Sequence, residues 1–250
     1  MLLVWQCAVG IFELPAILLP GPAAVAQEAW SLRGELLTGS LVSFSAALAG
    51  LLTSLAIGTL VGIAFSQSRS LRIGFFPYVM FLQTVPIIGI APLLITWSGY
   101  QFRTVVLISA IISLFPIINS VTSGLLAIDP HLEDLFRLYG AGRWQLLWKL
   151  RFPTAVRFLL LGAKTSSGLA VIGAIVGDFF VGNGSADYLG LGTLMTRWMT
   201  WQNTRALLAS MFASALIGLL MYALVNLVAR LLSRWATPRS RASRGRAASS

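Results

Sequence analysis

The chain has 250 residues, of which 57% are hydrophobic and only 10% charged, and its mean hydropathy is +0.82. Soluble domains carry about 25% charged residues, so this composition excludes a soluble globular protein and points to an integral membrane protein. The net charge of +10 could suggest a nucleic-acid surface, but its placement along the chain argues for membrane orientation and against nucleic acid as a partner.

Residues 1–19 are apolar apart from Glu13, and Ala24, Val25 and Ala26 have the small-residue form of a signal-peptidase site. No Lys or Arg precedes Arg33. The basic n-region of a signal peptide is therefore missing, and a shortened first transmembrane helix is favoured over a cleaved signal. A start assigned too far downstream would also explain its brevity. Uncharged runs at 36–68, 73–102, 104–128 and 206–229 each exceed the ~20 residues that cross a ~30 Å hydrocarbon core as helix. A fifth stretch, 154–182, has spanning length but carries Arg157, Lys164 and Asp178. The expected fold is an all-α polytopic bundle of about five to six transmembrane helices, with one membrane domain over 1–235 and a loop at 129–153.

Pro77, Pro86 and Pro92 interrupt the third span. The carbonyls they free need internal partners in lipid, which predicts a kinked helix inside the bundle. Gly58 with Gly62, and Gly173 with Gly177, are small residues four apart, a spacing that lets helix backbones approach without naming their partners. Trp97, Trp198, Trp201 and Trp235 fall near span ends, where indole rings favour the interface.

The loop at 129–153 is charged and amphipathic, and it reads as a helix of about three turns lying along the membrane surface. Leu135, Phe136, Leu138 and Tyr139 supply an apolar face. Gly140, Ala141 and Gly142 permit a tight turn and close approach. Pro153 is expected to open the following span in its first turn, where a missing N–H costs nothing. On periodicity alone, an interfacial helix with no protein partner fits this segment equally well.

In the fifth span the uncharged run 165–177 is thirteen residues long, or about 20 Å of helix, shorter than the ~30 Å core. Lys164, Gly168, Val171, Ile175 and Asp178 follow i, i+4, i+7, i+11 and i+14 and share one face. A charge at the bilayer centre costs about 2.5 to 3.5 kcal/mol, so this stripe is a candidate translocation path facing protein or water. Alternatively, Lys164 snorkels on its long stem and Asp178 lies at the outer interface.

If 129–153 is cytoplasmic, alternation places thirteen basic residues inside: Arg69, Arg72, Arg137, Arg143, Lys149, Arg151, Arg157 and the six from Arg230 onward. Four remain outside (Arg33, Arg103, Arg197 and Arg205) and Lys164 lies within a span. This bias matches the positive-inside rule, with the C-terminal tail also cytoplasmic. Residues 236–250 are rich in Ser, Arg and Ala without apolar periodicity, and read as a disordered basic tail near anionic lipid.

Several chemistries are excluded. The two lysines, Lys149 and Lys164, do not follow glycine, so there is no phosphate-binding P-loop and the chain is not an ATP-hydrolysing subunit. Cys7 is the one cysteine and His131 the one histidine, so no thiolate cluster or metal site is expected, and no cofactor. No cluster of ionisable groups suggests a membrane enzyme.

The 129–153 segment resembles the cytoplasmic coupling loop of ABC importer permeases, whose pattern is E-A-A, three residues, Gly, nine residues, then I-x-L-P. Asp134, Leu135 and Phe136 take the first three positions, Gly140 the glycine, and Leu150, Arg151, Phe152 and Pro153 the tail. Within the nitrate, sulfonate, taurine, thiamine-precursor and riboflavin-like branch the longer pattern also aligns without a gap. It runs over Asp134 to Gly142 with Arg137 matched, over Phe152 to Ala155, and over Gly162, Ala163 and Lys164, where Lys replaces Arg. The stretches at 19–25 and 85–99 resemble the same branch, and Asp178 stands where it usually has Glu. The run 173–180 is similar to riboflavin and pyrimidine-precursor permeases.

The resemblance implies an inner-membrane permease that forms the path for a small solute and is not itself an enzyme. Its implied partners are two ABC ATPase subunits, a second permease copy in a homodimer, and an external substrate-binding protein. Asp134, Leu135, Phe136, Arg137, Leu138, Tyr139, Gly140, Ala141, Gly142 and Pro153 are then the ATPase-coupling residues. A stand-alone secondary transporter or channel is the alternative, and it would need its own coupling-ion site and no docking loop.

Overall fold

The computed structural model describes residues 2–11, 15, 17–127, 129–184 and 188–236. All regular structure among them is helical: α1 (Leu2–Ile11), α2 (Pro22–Ser31), α3 (Arg33–Gln67), α4 (Arg69–Thr84), α5 (Ile87–Ser98), α6 (Phe102–Leu126), α7 (Pro130–Leu138), α8 (Arg143–Leu146), α9 (Phe152–Val181), α10 (Leu191–Thr200) and α11 (Thr204–Ala236). A π-helical turn, Leu147–Arg151, joins α8 to α9. The C-terminal tail from 237 lies outside the described residues.

Four helices, α3, α6, α9 and α11, are long and apolar enough to cross a membrane. Glycines set the direction of the first three. A Cβ on Gly58 would lie 2.7 Å from Ile117 Cγ2, and one on Gly62 would lie 2.6 Å from Val121 Cγ1. Residue numbers rise together, so α3 and α6 run parallel. On the other side of α6, a Cβ on Gly173 would sit 2.7 Å from the Cα of Ser109 and one on Gly177 would sit 3.0 Å from Val105 Cγ1. Here the numbers run oppositely, so α9 is antiparallel to α6. Both glycine pairs singled out in the sequence therefore pack on α6, which is the central helix. Between lipid-exposed helices the hydrophobic effect supplies little attraction. Close backbone packing and hydrogen bonds must hold the bundle instead. Serines provide the bonds: Ser109 Oγ donates to the Ala170 carbonyl at 2.8 Å, Ser113 Oγ to Ser54 Oγ at 2.9 Å, and Ser166 Oγ to the Ser113 carbonyl at 2.9 Å.

Parallel α3 and α6 decide what lies between them. α4 and α5 are bent by 98° at the break before Ile87. They must carry the chain from the C-terminal end of α3 to the opposite end, where α6 begins, so the pair is a broken crossing and not a re-entrant hairpin. The described residues thus form five crossings, at the lower bound of the sequence expectation. A kinked helix inside the bundle is not what forms: α4 has no buried residue, and it touches the bundle through Phe76, whose ring lies 6.3 Å from those of Phe65 and Phe115. Pro86 N-caps α5 at the break.

Of the shortened first transmembrane helix expected over 1–19, the described regular part is α1. α1 has ten residues, about 15 Å of rise, half a bilayer core. With α2 it covers the start of α11, where Trp5 stacks on Phe212 at 5.9 Å and Asn203 Nδ2 donates to Glu28 Oε1 at 3.1 Å. Trp198, expected at the interface, is 2% exposed because α10 folds back onto the bundle. Trp97 and Trp201 are exposed, and the Trp235 side chain lies outside the described set.

Candidate functional site

Two places on the bundle concentrate chemistry, and α9 runs between them. At its N-terminal end stands α7. Asp129 caps this helix by accepting from the backbone N–H of His131 at 3.0 Å, with Pro130 in the first position. The other end closes with the Gly140 N–H on the Arg137 carbonyl at 2.9 Å and the Ala141 N–H on the Phe136 carbonyl at 3.0 Å, Gly140 taking φ +74°. This is the Schellman arrangement, in which the residue after the helix adopts a left-handed conformation that glycine adopts without a Cβ penalty. A Cβ on Gly140 would meet nothing within 4 Å. Gly140 is thus demanded by backbone geometry, and the space beside it is open.

The apolar face of α7 is uncovered: Leu138 is 83% and Tyr139 85% exposed, Leu135 is also exposed, and Phe136 is half-buried. Asp134, Arg137 and Gly142 are exposed, and Ala141 is half-buried. Arg137, Arg143 and Arg151 line a cavity of about 200 Å³ together with Ser66 and Gln67 at the end of α3.

Pro153 stands in the first turn of α9, as expected for the opening of the fifth span, although the helical path itself does not begin there. The helix runs on from Arg143 through the π-turn, where the Phe152 N–H reaches the Leu147 carbonyl. A wider turn just before proline suits a residue that cannot donate.

The stripe on α9 splits. Gly168, Val171 and Ile175 line a groove of about 310 Å³ with Ser214, Ala215 and Gly218 of α11, and Lys164 is half-buried a turn away. Asp178 is different: it is 0% exposed and lines no opening. Its carboxyl group accepts from Ser43 Oγ, from Tyr188 Oη at 2.6 Å and from the backbone N–H of Gly192. Ser43 Oγ in turn accepts from the N–H of Leu191 at 2.8 Å, and Thr193 Oγ1 donates to the Asp178 carbonyl at 3.0 Å. Burial, reinforced by the Asp178 charge, pushes the Tyr188 phenol above its ordinary range and keeps it a donor.

Asp178 is therefore sealed against the N-terminus of α10 and does not line an open path. Sequence reasoning missed Ser43, Tyr188, Gly190 and Gly192. The signal available for the last two was the G-L-G spacing: a Cβ at Gly190 would overlap the Asp178 carboxyl group, and one at Gly192 the Ile175 carbonyl. Among the described residues no three His, Cys, Asp or Glu side chains gather to hold a metal.

Residues 54–242 match the family described as binding-protein-dependent transport system inner membrane component. The riboflavin transport system permease protein RibX of Chloroflexus aurantiacus is 34% identical over 94% of this chain and 87% of its own length. The formylaminopyrimidine transport permease protein ThiX of Halalkalibacterium halodurans is 28% identical over 94% of this chain and 92% of its own. The fold is similar to that of a chain of the methionine ABC transporter MetNI solved in inward-facing conformations, with a TM-score of 0.67 at 17% identity over 83% of this chain and 99% of that one. The chain belongs to the binding-protein-dependent transport system inner membrane components, the permease subunits of ABC importers.

Proposed function

We propose that this permease subunit is driven by a separate ATPase that docks on α7. In this reading the α7 end is cytoplasmic and the α10 end faces an external binding protein. The observation that carries it is the exposed apolar face of α7, held by a Schellman cap on a segment that continues into α9 and shares a cavity with the end of α3. A surface helix presenting Leu138 and Tyr139 in water is costly unless something covers it. The end of the bundle that carries it also gathers Arg69, Arg72, Arg143 and Arg230, in keeping with the positive-inside rule. A stand-alone transporter would have no use for such a face.

The working unit is proposed as a homodimer with two ATPase subunits. The groove along Gly168, Val171 and Ile175, with Lys164, is proposed to line the path; Asp178 is removed from it by its burial. The names of the relatives make a nitrogen heterocycle, such as riboflavin or a formylaminopyrimidine, the first solute to test.

Gly140 offers a clean experiment, because its backbone demand and its open surroundings can be separated. Gly140→Ala carries the left-handed cost of about 1 kcal/mol; Gly140→Trp carries the same cost and adds bulk at the proposed contact. With the ATPase co-expressed, Gly140→Ala should copurify with it nearly as the parent does, and Gly140→Trp at least tenfold less, both inserting normally. Equal copurification of parent and Gly140→Trp would remove this surface from the ATPase contact.

A further inference from the structure

α9 has a built joint at each end. One end continues through the π-turn into α8. The other end, 26 residues after Phe152 and so about 39 Å away, carries Asp178 and its ring of donors from α3, Tyr188 and α10. We propose that Asp178 is a positioning residue that fixes α10 to α9 and α3, making α9 a connecting rod from the α7 segment to a closure at the opposite end of the bundle.

The polar cluster, more than the apolar contact, sets where α10 sits. Leu191, Leu194 and Trp198 bury the apolar face of α10, but apolar contact in a lipid setting is weakly directional. The carboxyl group is directional: it binds α3 through Ser43, the Tyr188 hydroxyl, and the first turn of α10 through Gly192. Removing it leaves three donors facing one another in a site closed to water. The local sequence is also shaped around it, since side chains at Gly190 and Gly192 would occupy the space of the Asp178 carboxyl group and of the α9 backbone. Thr193 lies against Gly182 so closely that a Cβ there would overlap its side chain. Tyr188 and α10 are thus fastened to α9 and α3 by Asp178 in a site closed to water, while the solvent-exposed Arg197–Glu35 pair at 3.4 Å gives α10 a second, screened contact with α3.

The docking claim stands on geometry; the transmission claim rests on the proposed function, and the experiment separates them. In a Cys7→Ser background, a thiol at Leu194→Cys sits under α10 against Gly39, and one at Met221→Cys is buried in α11 away from the clamp. In detergent, Asp178→Asn keeps the shape and loses the acceptor. It should raise maleimide labelling of Leu194→Cys at least tenfold and leave Met221→Cys protected, with Tyr188→Phe giving a smaller rise. Unchanged protection of Leu194→Cys overturns the proposal, and so does equal loosening of both thiols, which would make Asp178 a general stability residue.

In complex with the ATPase, ATP with vanadate should change labelling of Leu194→Cys in the parent and have no effect in Asp178→Asn. An equal response in both contradicts the rod. No response in the parent means that α9 does not deliver ATPase motion to α10. That result overturns the rod, and loss of ATPase copurification alongside it overturns the proposed function as well.

Discussion

Ser113 joins three helices, α6 to α3 through its hydroxyl and to α9 through its backbone carbonyl. It donates to Ser54 and to the Ser109 carbonyl, and its own carbonyl receives Ser166. Interhelical bonds of this kind average about 0.6 kcal/mol, with a maximum near 1.7. Ser113→Ala should therefore lower the thermal midpoint in detergent by about 2 °C without changing insertion. A much larger loss would mean that the three helices depend on this group more than a shared hydroxyl explains. At this scale the sequence was partly legible. Helical periodicity turned Asp178 away from lipid, but its donors could not be read, because Ser43 lies 135 residues away and Tyr188 sits past a turn. Pairing across such a separation is a property of the bundle and leaves no local pattern.

Helices were legible where length and hydropathy decide them, and illegible where packing does. The pairs Gly58 with Gly62 and Gly173 with Gly177 announced close contacts, and only the assembled bundle identified α6 as the partner of both. Gly140 was visible by its spacing, and the structure adds a backbone reason for it, the αL cap of α7. Trp198 was misplaced because an interface tryptophan and a buried one look alike in a short helix whose fold-back is tertiary. Pro86 marked the α4–α5 break, but not its place at the edge of the bundle. A contrast between two α3 and α9 glycines checks this account. Gly58→Leu pushes into Ile117 and should cost about 1 to 3 kcal/mol. Gly168→Ala meets nothing within 4 Å and should be neutral or gain up to about 1 kcal/mol in helix propensity. Equal thermal midpoints for the two variants would show that α3 and α6 are not packed through Gly58.

Taken together, the described residues form five crossings, of which α3 and α6 run parallel, α9 runs back, and the α4–α5 pair crosses with a bend. This arrangement puts α7 and most basic residues at one end and α10 at the other. Under the proposed function the ATPase reaches the α7 end alone. Crosslinking in membranes from cells that co-express the ATPase tests this directly, using a membrane-permeant bifunctional maleimide in a Cys7→Ser background. Leu138 and Met199 are both exposed, on the α7 and α10 ends respectively. The expected result is a strong crosslink to the ATPase from Leu138→Cys and none from Met199→Cys. A crosslink from Met199→Cys, or none from Leu138→Cys while the ATPase still copurifies, would contradict the assignment of α7 as the coupling surface.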